Sequence, residues 1–331
     1  MVKPRDARMQ RGSCHGLLAR SNSALEAKSI PGARGIPLGE VAERAAPLRA
    51  PFRCYLELTK PRITALVLVS AAAGFLLGAA SFDVAVFAHT MFGIALVAAG
   101  TSAMNQVLER DVDALMRRTR SRPLPAGRIG TLPAAVFSGV LAAAGIAWLG
   151  VTVNLITAVL AALTFISYDF VYTPLKRVHS LSTVIGAVPG ALPILGGWTA
   201  ATGALGPGGW ALFGILFVWQ LPHFLALAWL LRDDYEAAGL RMLSVGDPRG
   251  RQTRRQTLLY TLTLIPVSLM PSVLGLAGPV YFVGALGLGG AFLWAALQFG
   301  REASGPRARR LFRASILYLP LLMAILVMDK V

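Results

Sequence analysis

The sequence predicts an all-α polytopic membrane protein, and three observations carry that prediction. Of the 331 residues, 55% are apolar and only 15% charged, with a mean hydropathy of +0.60. A soluble domain of this size needs roughly a quarter of its residues charged, so lipid must cover much of this one. Second, apolar stretches recur at about the 20 residues that a helix needs to cross the hydrocarbon core. Third, the positive charge is confined to alternate loops. A net charge of +16 on a soluble face would suggest nucleic acid. Its placement assigns it to topology instead, and no nucleic-acid partner is expected.

Residues 1–52 are rich in Arg, Gly and Ser and hold no sustained apolar run. They read as a poorly ordered, basic cytosolic tail. Asp6, Glu26, Glu40 and Glu43 interrupt the acid-poor pattern of a transit peptide, and no cleavable signal peptide is visible. Residues 53–331 form the membrane domain. Its spans are expected at roughly 62–81, 84–107, 132–151, 153–173, 181–201, 209–231, 256–275, 279–298 and 311–328, nine helices in all. Pro189, Pro193, Pro222, Pro266 and Pro271 fall inside them. A bundle tolerates these, because neighbouring helices satisfy the freed backbone groups.

The loops set the orientation. Every Lys and Arg except Lys330 lies before or at the start of span 1, or in the segments that follow spans 2, 4, 6 and 8. Cytoplasmic loops collect these residues because they resist translocation. The N-terminus is therefore cytoplasmic and, after nine crossings, the C-terminus lies outside. Cys14 and Cys54 both precede the first span and lack metal-ligand spacing, so they read as incidental thiols.

The longest polar segment follows span 2. Asn105, Glu109 and Asp113 are spaced i, i+4, i+8, which stacks three oxygen-bearing side chains on one helical face. Such a row can hold a hard divalent cation, with substrate phosphates and water completing its shell. Arg117, Arg118 and Arg122 follow at once and can clamp a diphosphate. The bland alternative is a solvated helix end with ordinary ion pairs.

A second cluster closes span 6, where Arg232, Asp233 and Asp234 lie at the same membrane level. His223 stands ten residues before Asp233, about 15 Å deeper by helical rise. An ionisable residue at that depth is a functional candidate, and a histidine hydrogen-bonded to a neighbouring helix is the alternative. The loop after span 4, Tyr172-Thr-Pro-Leu-Lys176-Arg177, brings another cation pair to the same face. No glycine-rich phosphate loop and no HExxH zinc motif occur.

The run Asn105-x₃-Glu109-x₂-Val112-Asp113-x₂-Met116-x-Arg118-Thr119-x₂-Arg122-x₄-Gly127 resembles the signature of UbiA-type intramembrane prenyltransferases. The resemblance covers residues 55–329, beginning with Leu56-Glu57-Leu-Thr-Lys60-Pro61-Arg62. Glu109 to Met116, the Tyr172 to Arg177 loop and Trp219-Gln220-Leu-Pro222-His223-Phe224 are similar to the heme-modifying branch. Quinone-forming relatives carry an acidic residue where His223 stands, so the first part of their second acidic motif is missing here.

The resemblance implies a nine-helix UbiA-type bundle, farnesyl diphosphate as donor, heme B as acceptor and Mg²⁺ (or Mn²⁺) as cofactor. It implies that Asn105, Glu109, Asp113, Asp233 and Asp234 organise the metal. Arg118, Arg122, Lys176 and Arg177 would bind phosphate, and Tyr172, Trp219 and Arg232 would contact substrate. Asn105, Glu109, Asp113 and His223 are the expected catalytic set. His223 is open to three roles: contact with the porphyrin, ligation of its iron, or proton transfer. The lipid bilayer and a downstream heme-modifying enzyme are the implied partners, and the bacterial plasma membrane the location, with the mitochondrial inner membrane as the alternative.

The nearest rival is prenylation of an aromatic quinone precursor, which His223 disfavours. A secondary transporter would place its ionisable groups at the midplane, whereas these acidic residues cluster at helix ends. A non-catalytic assembly factor leaves the Asn105–Asp113 face unexplained.

Overall fold

The computed structural model describes residues 51–331, so the N-terminal tail expected over 1–52, with Cys14, lies outside the described residues apart from its last two positions. The elements are helices α1 (Phe52–Leu58), α2 (Pro61–Gly78), α3 (Val84–Leu108), α4 (Arg110–Leu115), α5 (Thr131–Thr152) and α6 (Leu155–Ile166). A π-helical segment (Ser167–Tyr172) joins α6 to the single turn α7 (Thr173–Leu175). Then come α8 (Ser182–Thr202), α9 (Pro207–Leu230), α10 (Arg232–Ala237), α11 (Leu243–Gly246), α12 (Arg251–Val273), α13 (Pro279–Arg301) and α14 (Gly305–Met328). Among the described residues nine helices are long and apolar enough to cross a membrane, with α6 through α7 counted as one. No strand occurs among them.

Helices α8 and α9 form the interior. Of their most apolar stretches 72% and 61% are buried, against 28–33% in the other seven. Helix α8 packs on α2, α6 and α9, α9 on α12 and α14, α3 on α5, and α13 on both α12 and α14. Between helices in lipid, close backbone approach does the work that the hydrophobic effect does in water. Two glycines show it: a Cβ at Gly74 would overlap the Ile194 carbonyl, and one at Gly197 the Ala71 carbonyl. No larger residue lets α2 and α8 meet at this distance. In the second half, Tyr281, Phe292, Phe299 and Leu264 fill the core. Its tyrosine hydroxyls are paired, with Tyr281 Oη donating to the Ser268 carbonyl at 2.5 Å and Ser268 Oγ lying 2.6 Å from Tyr318 Oη.

Local chemistry fixes the helix ends. Asp83 accepts from the Ala85 and Val86 amides (2.8 and 3.0 Å) and starts α3. Asp247 accepts from the Arg251 and Thr253 amides (3.0 and 2.8 Å), which starts α12 ahead of the expected residue 256. Helix α14 likewise begins before the expected 311, because Arg307, Arg309 and Arg310 extend it past its apolar stretch. Lys330, the one basic residue on the opposite side, donates to the Leu76 and Ala79 carbonyls (2.9 and 2.6 Å), where α2 ends.

The fourth span, expected over 153–173, runs as one continuous span over Leu155–Leu175 but winds through a π-helical turn near its end, because Pro174 has no amide to return to Phe170. Thr173 takes up the slack: both its amide and its hydroxyl reach the Tyr168 carbonyl, five residues back.

Candidate active site

Helix α3 ends where its polar row begins. Glu109 leaves helical geometry (φ −100°, ψ 9°), yet the Asp113 amide still donates to the Glu109 carbonyl at 2.7 Å. Asn105, Glu109 and Asp113 therefore remain one turn apart across the break, and all three are buried, at 3%, 7% and 1% exposure. Burial of so much polarity demands partners, and each has one. Asn105 Nδ2 donates to Glu109 Oε2 (2.9 Å) and Thr173 Oγ1 (3.2 Å), while Asn105 Oδ1 accepts from Lys60 Nζ (2.8 Å). Glu109 Oε1 meets Lys176 Nζ at 2.6 Å, and Asp113 Oδ2 meets Arg122 Nη1 at 2.6 Å. Lys176 also lies over the Tyr172 ring, 4.5 Å from its centre. Gly186 makes room for that ring, since a Cβ there would come within 2.5 Å of it.

Lys60 holds the one backbone geometry of its kind. Among the described non-glycine residues it alone has a positive φ, 46°. It sits just before Pro61, which already disfavours a helical conformation. A bulky residue in this region is strained, and such strain concentrates at functional sites. The turn is held from both sides, by Lys60 Nζ on Asn105 and by Gln106 Nε2 on the Leu58 carbonyl (2.8 Å).

Electrostatics follow from this packing. Burial pushes the Lys60 ammonium down to about 8, with the Arg122 charge adding to that and Glu109 opposing it. Burial would raise the Glu109 carboxyl, but Lys176 outweighs it and the net direction is down. Burial likewise opposes the charge on Lys176, and Tyr172 and Glu109 more than offset it, so this ammonium is held charged. The cluster thus gathers three cations, Lys60, Lys176 and Arg122, around two carboxylates and an amide.

The second polar segment packs against the first through apolar contacts. Val112 and Met116 of the first share a cluster with Ala228, Ala238, Leu240 and Met242, and Tyr235 packs on it. The Arg241 amide donates to the Lys176 carbonyl (3.0 Å). Asp234 is half-buried and faces the exposed Arg117 at 3.8 Å, while Asp233 is exposed. Arg118 is exposed as well, and its charge reaches the Tyr235 hydroxyl. Arg232 lies over Trp229 (5.7 Å) and reaches the Pro248 carbonyl at 3.5 Å. Arg177 Nη2 donates to the Leu108 carbonyl at the end of α3 (2.8 Å).

Deeper in the bundle, Trp219 Nε1 donates to the Ser315 carbonyl (2.9 Å). His223 is stacked between Trp219 and Phe312, with ring centres 5.0 and 4.8 Å away, and its Nδ1 lies 2.7 Å from Ser315 Oγ. That hydroxyl has a single proton, and it donates it to the Phe312 carbonyl (2.7 Å). With that proton on the Phe312 carbonyl, Nδ1 donates to Ser315 and Nε2 of the neutral ring keeps a lone pair for a ligand.

Beyond the polar cluster opens an apolar cavity of about 30 Å³. Val67, Ile94, Ala98, Ala161, Leu192 and Gly196 are in its wall. Ala98 precedes Asn105 by two turns on α3, so this small cavity lies about 10 Å deeper in the bundle than the polar cluster, whose side chains do not line it. Among the described residues no three His, Cys, Asp or Glu side chains converge as a metal centre. The donors present are all hard oxygens, which fits an ion that takes one or two carboxylates and completes its shell on substrate phosphate.

Sequence reasoning did not single out Lys60, Thr173 or Asp169 as site residues. A Lys-Pro pair at a helix start was the available signal for Lys60. Asp169 lies four residues inside the end of the expected fourth span, and an acid there reads with the loop that follows.

Comparisons with known proteins show the family and the fold. The model of the UbiA prenyltransferase family matches residues 67–321. A protoheme IX farnesyltransferase of Solibacter usitatus is 44% identical over 289 residues, covering 84% of this chain and 99% of that protein. One of Salinibacter ruber is 49% identical over 276 residues, covering 83% and 98%. A mitochondrial protoheme IX farnesyltransferase of Arabidopsis thaliana is 36% identical over 299 residues, covering 88% and 69%. Among solved structures, one concerning digeranylgeranylglyceryl phosphate synthase superposes with a TM-score of 0.73 at 16% identity, covering 84% of this chain and 98% of that one. A UbiA homologue of Archaeoglobus fulgidus bound to DMAPP and Mg²⁺ superposes with a TM-score of 0.59 at 17% identity, covering 82% and 98%. At these identities the structural likeness concerns the fold.

Proposed function

We propose that this chain, which belongs to the UbiA prenyltransferase family, transfers the farnesyl group of farnesyl diphosphate to a vinyl group of heme B, with addition of water, giving heme O. Its curated relatives carry that activity in their names at 42–49% identity over most of the chain. The observation that carries the reading is the cluster in which buried Asn105, Glu109 and Asp113 meet half-buried Lys60, Lys176 and Arg122. The cluster supplies the diphosphate site, and the prenyl chain runs deeper along the apolar faces of the same helices.

Ionising an allylic diphosphate means stabilising charge that develops on the leaving group, and preorganised cations in a dry site do this best. Lys60, Lys176 and Arg122 bind the diphosphate oxygens, exchanging their present partners for the substrate. Asn105, Glu109 and Asp113, with Asp233 and Asp234 from the facing segment, would hold Mg²⁺. When bound, that ion neutralises charge on the departing diphosphate. Excluding bulk water protects the allylic cation from hydrolysis, and the buried walls of this site serve that end. His223, through the free Nε2, contacts the porphyrin or its iron. The site faces the cytoplasm of a bacterial plasma membrane, as the one-sided placement of Lys and Arg supports. The product, heavier and more apolar than heme B, passes to a downstream heme-modifying enzyme.

The test is turnover of heme B and farnesyl diphosphate by purified protein, following diphosphate release with and without Mg²⁺. Parent protein releases diphosphate in step with heme consumption, and Glu109→Gln and Asp113→Asn lose this by about a hundredfold or more, the scale of one electrostatic group in the transition state. Two variants that keep parent turnover would refute the assignment of these residues.

A further inference from the structure

Asp169 is a carboxylate that the reading above does not use. It is fully buried, and neither of its oxygens finds a hydrogen-bond partner. Every other buried carboxylate of the membrane domain is held: Glu109 by Lys176, Asp113 by Arg122 and Asp247 by the start of α12. An unpartnered carboxyl in a dry interior is costly and persists where a function retains it. Its backbone is equally unusual, since it sits in the π-helical turn Ser167–Tyr172, and such turns gather at functional sites.

Its place in the fold says what it does. Four residues on, and one π turn nearer the helix end, Thr173 touches Asn105 of the diphosphate cluster. One to two turns deeper in the same span, Ala161 and Thr164 line the apolar cavity. Asp169 therefore lies along the span between the diphosphate cluster and the apolar cavity. The charges that act on it are those of Lys60, Glu109 and Lys176, all members of the cluster. With the diphosphate held by that cluster and the prenyl chain running deeper along the same helices, this is the level of the donor's first carbon, where bonds break and form.

We propose that Asp169 is a further catalytic residue, the base that receives the proton of the water completing the reaction. The step balances. The C1–O bond of the donor breaks and diphosphate leaves with the electron pair. The vinyl π electrons form the new C–C bond to C1, which leaves a cation on the inner vinyl carbon beside the porphyrin ring. Water gives a lone pair to that carbon, and its proton passes to the Asp169 carboxylate. The product carries one farnesyl and one hydroxyl group more than heme B. A carboxylate without protein partners is free to orient that single water while the walls exclude others.

The proposal rests on the heme farnesylation reading, and the parent protein in the same assay tests that reading separately. Asp169→Asn and Asp169→Ser are compared with parent for farnesyl diphosphate affinity, turnover, and product identity by chromatography and mass spectrometry. The expected result is affinity within about threefold of parent and turnover reduced by about a hundredfold or more, the scale of a lost general base. A rise in product lighter by one water, formed when the cation loses a proton instead of gaining a hydroxyl, is the signature that a packing role would not produce. A loss of less than about tenfold with fully hydrated product overturns the proposal. So does loss of fold and of donor binding in both variants, which would make Asp169 a structural residue. If parent protein forms no farnesylated heme, the underlying reading fails before Asp169 is tested.

Discussion

The Glu109–Lys176 pair separates the forces that hold the site together from those that make it react. The two charges meet at 2.6 Å with side chains only 10% and 13% exposed. Lys176→Met leaves Glu109 buried with one neutral partner, Asn105, and the Lys60 charge beyond it. Removing one member of a buried pair costs about 3–5 kcal/mol, and the remaining partners put this case near about 3. Glu109→Gln leaves Lys176 uncompensated except for the Tyr172 ring, at a similar cost. The double variant removes both charges together, and such replacements are close to neutral, within about 1 kcal/mol. The two single losses should thus exceed the double loss by several kcal/mol, a coupling that equilibrium unfolding in detergent micelles with a denaturant titration resolves. All three variants should nonetheless lack farnesyl transfer, because Lys176 binds the diphosphate and Glu109 the metal that neutralises it. Additive stability losses would refute the claim that burial couples the pair. A double variant with parent activity would refute their role in the site.

Other expectations follow from neighbouring residues. Lys60 is pushed down to about 8, so the charge that binds diphosphate is lost as pH rises through 8, and KM for farnesyl diphosphate should climb there while kcat changes less. The folded state binds fewer protons than the unfolded one from about pH 8 up to the ordinary lysine range, so stability itself should rise with pH across that window; a flat KM profile would remove Lys60 from the diphosphate site. His223→Ala should abolish the absorbance shift of heme B on binding yet leave farnesyl diphosphate affinity unchanged, and equal heme spectra in parent and variant would discard the Nε2 contact. Gly186→Val should displace the Tyr172 ring, at a cost of about 1–3 kcal/mol, and lower turnover through Lys176; unchanged turnover would show that Tyr172 does not position that lysine.

Much of this architecture is legible in the sequence, and the reasons are physical. Spans are read from apolar length and orientation from loop charge, because lipid leaves the chain few alternatives. Lys330 is the instructive exception in the charge pattern, for it serves the end of α2 rather than topology. Helix starts set by Asp247 or by a run of arginines escape a hydropathy reading, since the helix outlasts its apolar stretch. The row Asn105, Glu109, Asp113 is visible as a spacing, but its partners Lys60, Lys176 and Arg122 come from three other points in the chain. Spacing carries no information on such encounters. The π-helical turn is written only as Pro174 and Thr173, and without it Asp169 reads as one more loop acid at the end of a span.

The most direct measurement offers the purified protein heme B and an aromatic quinone precursor together, with farnesyl diphosphate and Mg²⁺, and identifies the products by mass spectrometry. A single new pigment, heavier than heme B by one farnesyl and one hydroxyl group and absent with Asp113→Asn, is the predicted result. A farnesylated quinone precursor beside unmodified heme B would contradict the account.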